Sequence, residues 1–353
     1  AIPCFRTWNA QDVITDDMPV YAGTVGTYGG PGRNFGIQNC DLLLSLGCRM
    51  SGRITGGQPE TFARGAKKYI VDVDTVALTP ALQQVNGDVN IPTSCAFFID
   101  GLGESEARFD DWLAQCVAWK DKYDPVTPEM LTGDFHHYGF MRRLSGLLPN
   151  DAIVVSDTGG NVIMMGHCFQ SKAGQRIFTS NGNTPMGFAL CGAIGAWFAE
   201  PKRPIICIIG DGGMQLNIQE LQTIKHYEIP VKVFIINNGI LGNTKSYQRV
   251  NKKAELACGP DGYSAPNFCA IASAYGIKRY SLGEWDRFDY VVNNTIAADC
   301  AVICDVVHYD HCQYEPRMSR WDAEIREMYP PLPEEEFRAN CINPPLEGWE
   351  TRR

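Results

Sequence analysis

The sequence predicts an α/β protein of two doubly wound parallel-sheet domains, joined by a linker and followed by an extended C-terminal tail. Short apolar, β-branched runs recur at residues 41–47, 69–73, 152–156, 205–209, 231–236 and 302–307. Helix-length segments and Gly-rich turns separate them, the pattern of parallel strands buried on both faces. At 353 residues the chain is about twice the usual single-domain size.

The first two runs place one domain over residues 1–118. Between Trp119 and His137 the strand rhythm stops and Lys120, Lys122, Asp124, Pro125 and Pro128 intervene, so 119–137 is expected to be a linker. The other four runs place a second domain over 138–325. Beyond about Ser319 the chain turns acidic and Pro-rich, which cannot carry a continued sheet, and 326–353 is expected to be an extended tail.

Composition narrows the function. Hydrophobic residues make up 44%, and 31 Lys and Arg against 40 Asp and Glu leave a net charge of −9. That balance excludes disorder and argues against nucleic acid or another polyanion as partner. No apolar run reaches the ~18–20 residues of a membrane span. Fourteen cysteines are spread from Cys4 to Cys341 without a CxxC pair, which suits reduced, mostly buried thiols and a cytoplasmic location. The chain opens Ala-Ile-Pro-Cys with no initiator Met or signal segment, and reads as though it starts in mid-protein.

The run 205–209 leads into Gly210-Asp211-Gly212-Gly213, after which Met214, Ile218, Leu221 and Ile224 fall on one face of a helix. Bare amides of such a turn beyond a parallel strand attract anions, and a phosphate would suit the corner. Asp211 puts a carboxylate in the same place, so a cation is needed between the two. The next run, 231–236, ends in Asn237-Asn238-Gly239 and brings carboxamides to the same sheet edge. A carboxylate, a carboxamide oxygen and a main-chain carbonyl, completed by phosphate oxygens and water, make the six hard ligands of Mg²⁺. Asp-Gly and Asn-Gly are also ordinary turn dipeptides; their pairing after adjacent strands, with 24 residues between Gly212 and Asn237, favours the metal-bridged diphosphate.

GDG, 24 residues and NN resemble the thiamine-diphosphate motif, and the surrounding text resembles the acetolactate synthase large (catalytic) subunit family. Ser156-Asp-Thr-Gly-Gly-Asn resembles its diphosphate loop, and Asn183-Thr-Pro-Met-Gly-Phe-Ala its cofactor-contacting helix start. Upstream, Gly26-Thr-Tyr-Gly, Arg53-Ile-Thr-Gly and Val71-Asp-Val-Asp resemble its central domain. The resemblance implies Mg²⁺ held by Asp211, Asn238 and the carbonyl of Ile240. It implies a diphosphate cradle of Gly159, Gly160, Asn161, Gly212 and Gly213, with Gly210 and Gly242 as further cofactor-binding positions. Met186 would prop thiamine into its bent form, and Thr184 would offer its carbonyl to the cofactor's amino group.

The activity implied is a decarboxylase or carboligase acting on a 2-keto acid. Arg53 is the expected partner of the substrate carboxylate. Tyr247, where the synthases carry a tryptophan, would shape the acceptor pocket with Asn243 and Thr244, making it more polar than one built for pyruvate. The family's activating glutamate belongs to an N-terminal pyrimidine-binding domain, expected here from another polypeptide or segment within a homo- or hetero-oligomer, dimer or tetramer. Glu220 reads instead as an ordinary helix glutamate. An acyl-CoA lyase or decarboxylase of the same cofactor class, and a non-catalytic cofactor-binding relative, are the alternatives.

Residues 26–36, GTYGGPGRNFG, lack the GxGxxG spacing and a leading strand, so a Rossmann reading is not expected. The resemblance makes FAD an optional further cofactor there, at Tyr28, Gly29 and Asn34. His308-Tyr-Asp-His311-Cys312 is read as an ordinary loop, and His136-His137 as a solvated part of the linker.

Overall fold

The computed structural model describes residues 1–79, 85–103, 107–311 and 313–352. The chain divides into two compact units, one formed by Ala1–Thr7, Met18–Pro125 and Glu315–Arg353, the other by Trp8–Asp17 and Val126–Tyr314.

In the first unit, Cys4–Arg6 (β1) and Tyr21–Thr24 (β2) pair in parallel. Leu42–Leu46 (β3), Lys67–Asp72 (β4) and Val89–Pro92 (β5) form a three-stranded parallel sheet in that order. The expectation that 26–36 has no leading strand is corrected: β2 runs through a turn into the helix Gly30–Asn39. Its four residues, Tyr-Ala-Gly-Thr, are too few and too mixed to announce a strand. The expectation of burial on both faces is also corrected for β3, where Leu42, Leu44 and Leu46 are exposed while Ser45 points inward.

All ten residues of Gly30–Asn39 are buried. Phe35 packs 5.7 Å from Trp119 and 5.9 Å from Phe337, and Phe337 stacks 4.6 Å from Trp349. These aromatics explain two departures from the expected boundaries. The helix Asp110–Lys122 enters the stretch expected as a linker because Trp119 anchors it, and the break between units falls after Pro125. Among the described residues beyond 325 there is no further parallel strand, yet the segment folds back instead of extending: the helix Glu334–Ala339 and the turn Trp349–Arg352 seat Phe337 and Trp349 in this unit.

The second unit holds Ile153–Ser156 (β6), Arg176–Phe178 (β7), Ile205–Gly210 (β8), Lys232–Asn237 (β9), Lys278–Leu282 (β10) and Val302–Val307 (β11). They make one all-parallel sheet in the order β10-β11-β9-β8-β6-β7. β6 and β9 are buried throughout and β8 up to Ile209, as expected of strands covered on both faces. The chain leaves β6 toward β7 on one side and returns to β8 on the other, so the strand order reverses between β6 and β8. Crevices at such reversals bind ligands, because the flanking loops diverge there.

The amphipathic run after Asp211 is not one helix, as its spacing suggested. It breaks into Asp211–Leu216, a single turn Ile218–Glu220 and Leu221–His226. Asn217 sits at the break and donates its Nδ2 to the Gly187 carbonyl at 3.0 Å, while Met214, Leu221 and Ile224 all remain in the core. Among the described residues no helix is long and apolar enough to cross a membrane, and thirteen cysteines are free.

Candidate active site

Three strand ends meet at the reversal. Ser156 of β6 lies level with Ile208 of β8, and Gly210 of β8 with Ile236 of β9. The chain leaving β6 opens the helix Gly160–His167, and the chain leaving β9 opens the helix Gly242–Lys252. The turn at Gly210–Gly213 lies between them. Together they line a cavity of about 310 Å³. Amides at helix starts with no partner in the helix favour a negatively charged occupant.

Asp211 is 3% exposed. Its Oδ1 accepts from the Gly212 amide at 3.0 Å and its Oδ2 from the Gly239 amide at 2.9 Å, so one carboxylate ties the β8 turn to the β9 turn. Burial pushes its pKa up to about 6, against the opposing pull of these amides and of the Tyr263 hydroxyl. Asn238 donates Nδ2 to the His311 carbonyl at 2.7 Å and accepts on Oδ1 from the Ile240 amide at 3.3 Å. Asp211, Asn238 and Ile240 all line the cavity, and a carboxylate, a carboxamide and a main-chain carbonyl are the kind of hard oxygen set that suits Mg²⁺.

Asp157 Oδ1 and Asn161 Oδ1 are buried without a partner, and both residues line the cavity. Both are acceptors, so they suit a cation or a hydrogen-bond donor of the occupant, not the phosphate oxygens themselves. The other Asp157 oxygen accepts from the Gly187 amide at 3.0 Å, at the start of the helix Phe188–Ala199, and burial raises this carboxyl's pKa. Gly159 has φ +71°, and a Cβ there would meet nothing nearer than Asn243 Cβ at 3.9 Å, so it would project into open space. Elsewhere the need for glycine comes from the protein's own walls. A Cβ would lie 1.9 Å from Asp157 Oδ2 at Gly213, and 2.4 Å from the Tyr314 hydroxyl at both Gly160 and Gly242.

All twelve residues expected to bind cofactor line this cavity: Gly159, Gly160, Asn161, Thr184, Met186, Gly210, Asp211, Gly212, Gly213, Asn238, Ile240 and Gly242. Thr184 holds a left-handed φ of +49°, and the Met186 methyl lies 3.0 Å from where a Gly212 Cβ would stand. Tyr247 does not line the cavity; it is 59% exposed, on the same helix as Asn243 and Thr244, which do. Arg53 belongs to the other unit, in the short helix Gly52–Thr55. Glu220 accepts from the Thr223 hydroxyl at 2.8 Å, an ordinary helical contact.

Two of the three positions named for a flavin are engaged within the protein. Asn34 is fully buried; its Oδ1 accepts from the Gly26 amide at 3.0 Å, and its Nδ2 donates to the carbonyls of Gly26 and Ile325 at 2.9 and 2.7 Å. Gly29 packs so closely that a Cβ would meet that Oδ1 at 2.5 Å.

The expectation for the histidines is corrected. His136 and His137 are not solvated and 308–311 is not an ordinary loop, because the two segments pack against each other. His136 lies 4.6 Å and His137 5.4 Å from His311, ring centre to ring centre, and His308 stacks on His311 at 5.1 Å. His137 and His311 line the cavity, as do Asp157 and Tyr314. Sequence reasoning gave no site role to His137, His311 or Tyr314, and placed Asp157 only within the diphosphate-loop motif. The HxxH spacing was a signal, but its partner stands some 170 positions upstream, and only folding reveals the pairing. Cys312 lies outside the described residues.

This chain belongs to the thiamine pyrophosphate enzymes. Residues 1–94 match their central domain, and residues 157–306 match the C-terminal TPP binding domain. It is similar to the acetolactate synthase isozyme 2 large subunit of Escherichia coli (strain K12), 27% identical over 84% of this chain and 53% of that protein. It is likewise similar to a probable acetolactate synthase large subunit of Methanocaldococcus jannaschii, 29% identical over 87% of this chain and 53% of the relative. The acetolactate synthase large subunit of Parasynechococcus marenigrum is 30% identical over 78% of this chain and 45% of its own length. The chain thus spans about half the length of the curated relatives it matches.

Proposed function

We propose that this chain provides the metal and diphosphate half of a thiamine-diphosphate-dependent enzyme that decarboxylates a 2-keto acid and joins the product to an acceptor carbonyl. The observation that carries this reading is the convergence of Asp211, Asn238 and Ile240 on a cavity bounded by glycine turns. When bound, the cofactor supplies the carbanion-stabilising chemistry that lets a 2-keto acid lose carbon dioxide.

The chain's own residues place it. Asp211, Asn238 and the Ile240 carbonyl hold Mg²⁺ against the diphosphate, while the turns at 159–161, 210–213 and 242 supply backbone that approaches closely. Met186 would support the thiamine, and the Thr184 carbonyl would accept from the cofactor's amino group. Asn243 and Thr244 put polar groups on the cavity wall, and Tyr247, one turn along the same helix, extends that surface toward a hydroxylated or larger acceptor. Arg53 takes the keto-acid carboxylate, for which a planar two-pronged guanidinium is well matched. A pyrimidine-binding segment facing this cavity would supply the activating glutamate, in the same chain or in an oligomer.

Calorimetry with thiamine diphosphate tests the reading. Tight binding is expected only with Mg²⁺ present, and Asp211→Ala is expected to weaken it at least about a hundredfold, since the remaining anion loses its bridging cation. Unchanged affinity in that variant, or tight binding in excess chelator, overturns the assignment. Carbon dioxide release from pyruvate, followed after adding the pyrimidine-binding segment, tests the catalytic half.

A further inference from the structure

Beside the oxygen-lined metal corner stands a second donor set of different chemistry. One ring nitrogen from each of His137, His308 and His311 lies within 4.8 Å of the other two. His137 is completely buried and is held by a hydrogen bond between its Nε2 and the Val306 carbonyl at 3.1 Å. A carbonyl only accepts, so Nε2 carries the proton and Nδ1 presents a lone pair, with no partner in the protein. Both nitrogens of His311 and the Nδ1 of His308 are likewise buried without partners.

Leaving four such nitrogens unpaired side by side is unfavourable, since each loses its hydration without replacement. The arrangement makes sense if something else satisfies them. An imidazole whose far N–H is fixed on a backbone carbonyl is the usual posture of a metal-ligating histidine. His136 is kept out of the set, because its Nδ1 already accepts from the Tyr138 amide at 3.1 Å.

We propose that His137, His308 and His311 form a binding site for a borderline-soft transition-metal ion of the Zn²⁺ class, separate from the Asp211 site. Three neutral imidazoles suit Zn²⁺ and disfavour Mg²⁺, which prefers oxygen. Tetrahedral ligation at Zn–N distances of about 2.0–2.1 Å needs nitrogens about 3.3 Å apart. From within 4.8 Å, small ring rotations close that gap. The three histidines leave a fourth position for water or an oxygen ligand, and His137 and His311 also line the cavity.

The test uses the whole chain, stripped by chelator and returned to saturating Mg²⁺ so that the oxygen site is filled. Zn²⁺ is then titrated against a chromophoric chelator. One Zn²⁺ per chain is expected, and His308→Ala and His311→Ala should each weaken it by at least about a hundredfold, the upper loss seen for mere second-shell partners. Asp211→Ala, and His226→Ala at an exposed histidine elsewhere, should leave Zn²⁺ affinity within threefold. Co²⁺ substitution of the unaltered chain needs no variant and should give the intense visible absorption of a four-coordinate site with three nitrogen ligands and one oxygen. The proposal fails if Zn²⁺ is not bound stoichiometrically, if His308→Ala binds it equally well, if Asp211→Ala abolishes it, or if the Co²⁺ spectrum is that of a six-coordinate aqueous ion.

Discussion

Two clusters of buried polar groups, one in each unit, are treated in opposite ways. In the first, Arg326 and Glu324 are fully buried and paired, with Arg326 Nη2 2.6 Å from Glu324 Oε1. Arg326 also donates to Asn39 Oδ1 and the Asn343 carbonyl, and Gln38 donates to the second Glu324 oxygen at 3.1 Å. Asn39 in turn accepts from the amides of Ile342 and Asn343 and donates to the Asn340 carbonyl. This mutual satisfaction fastens the C-terminal segment to the helix Gly30–Asn39. In the second unit, Asp157 Oδ1, Asn161 Oδ1 and the histidine nitrogens are buried and unpaired around a cavity. Buried polar groups that satisfy each other build structure; those left open around a cavity await a ligand.

The largest effect should come from breaking the closed network. Arg326→Ala strands the Glu324 carboxylate in the core and is expected to lower stability by about 3–5 kcal/mol, read as a shift in the denaturant midpoint of the first unit. A midpoint equal to that of the unaltered chain would remove the contrast.

Next is the pH response of the open site. Asp211 rises from 3.8 to about 6 on folding, so the native state favours the protonated carboxyl. In metal-free protein its contribution is fully present below about pH 4 and is lost as pH rises through 6, a decline of about 3 kcal/mol. Thermal unfolding across this window should show that slope in the absence of metal, and Asp211→Asn should flatten it.

A steric change at the cavity should do less to stability and more to binding. Gly213→Ala forces a Cβ against Asp157 Oδ2, at an expected cost of about 1–3 kcal/mol. Thiamine diphosphate affinity with Mg²⁺ should fall by more than that stability loss predicts, because Asp157 is displaced into the cavity. The smallest effect is expected at Tyr247, exposed and off the cavity lining, where Tyr247→Ala should change stability by less than about 0.5 kcal/mol and leave cofactor affinity unaltered. A shift in product partition between pyruvate and a polar aldehyde acceptor would then isolate its role in acceptor choice.

What the sequence by itself determined is the part governed by local chemistry. Each of the six apolar runs became a strand, and in the second unit burial on both faces accounts for that composition, whereas Leu42, Leu44 and Leu46 stand exposed. The Gly-Asp-Gly and Asn-Asn-Gly turns marked strand ends that folding brings together, because a parallel sheet aligns the carboxyl ends of its strands. Strands such as Tyr21–Thr24 and Arg176–Phe178 were illegible: three or four residues of mixed character carry no period. Tertiary structure decided what depends on partners far apart in the chain. Asn217 ends a helix that the apolar spacing would have continued, because Gly187 offers it a carbonyl. Trp119, Phe337 and Trp349 turn a linker and a tail into packed structure around Phe35. Above all, His137 and His311, separated by more than half of the second unit's sequence, become neighbours only because the segments that precede its first strand and follow its last converge in space.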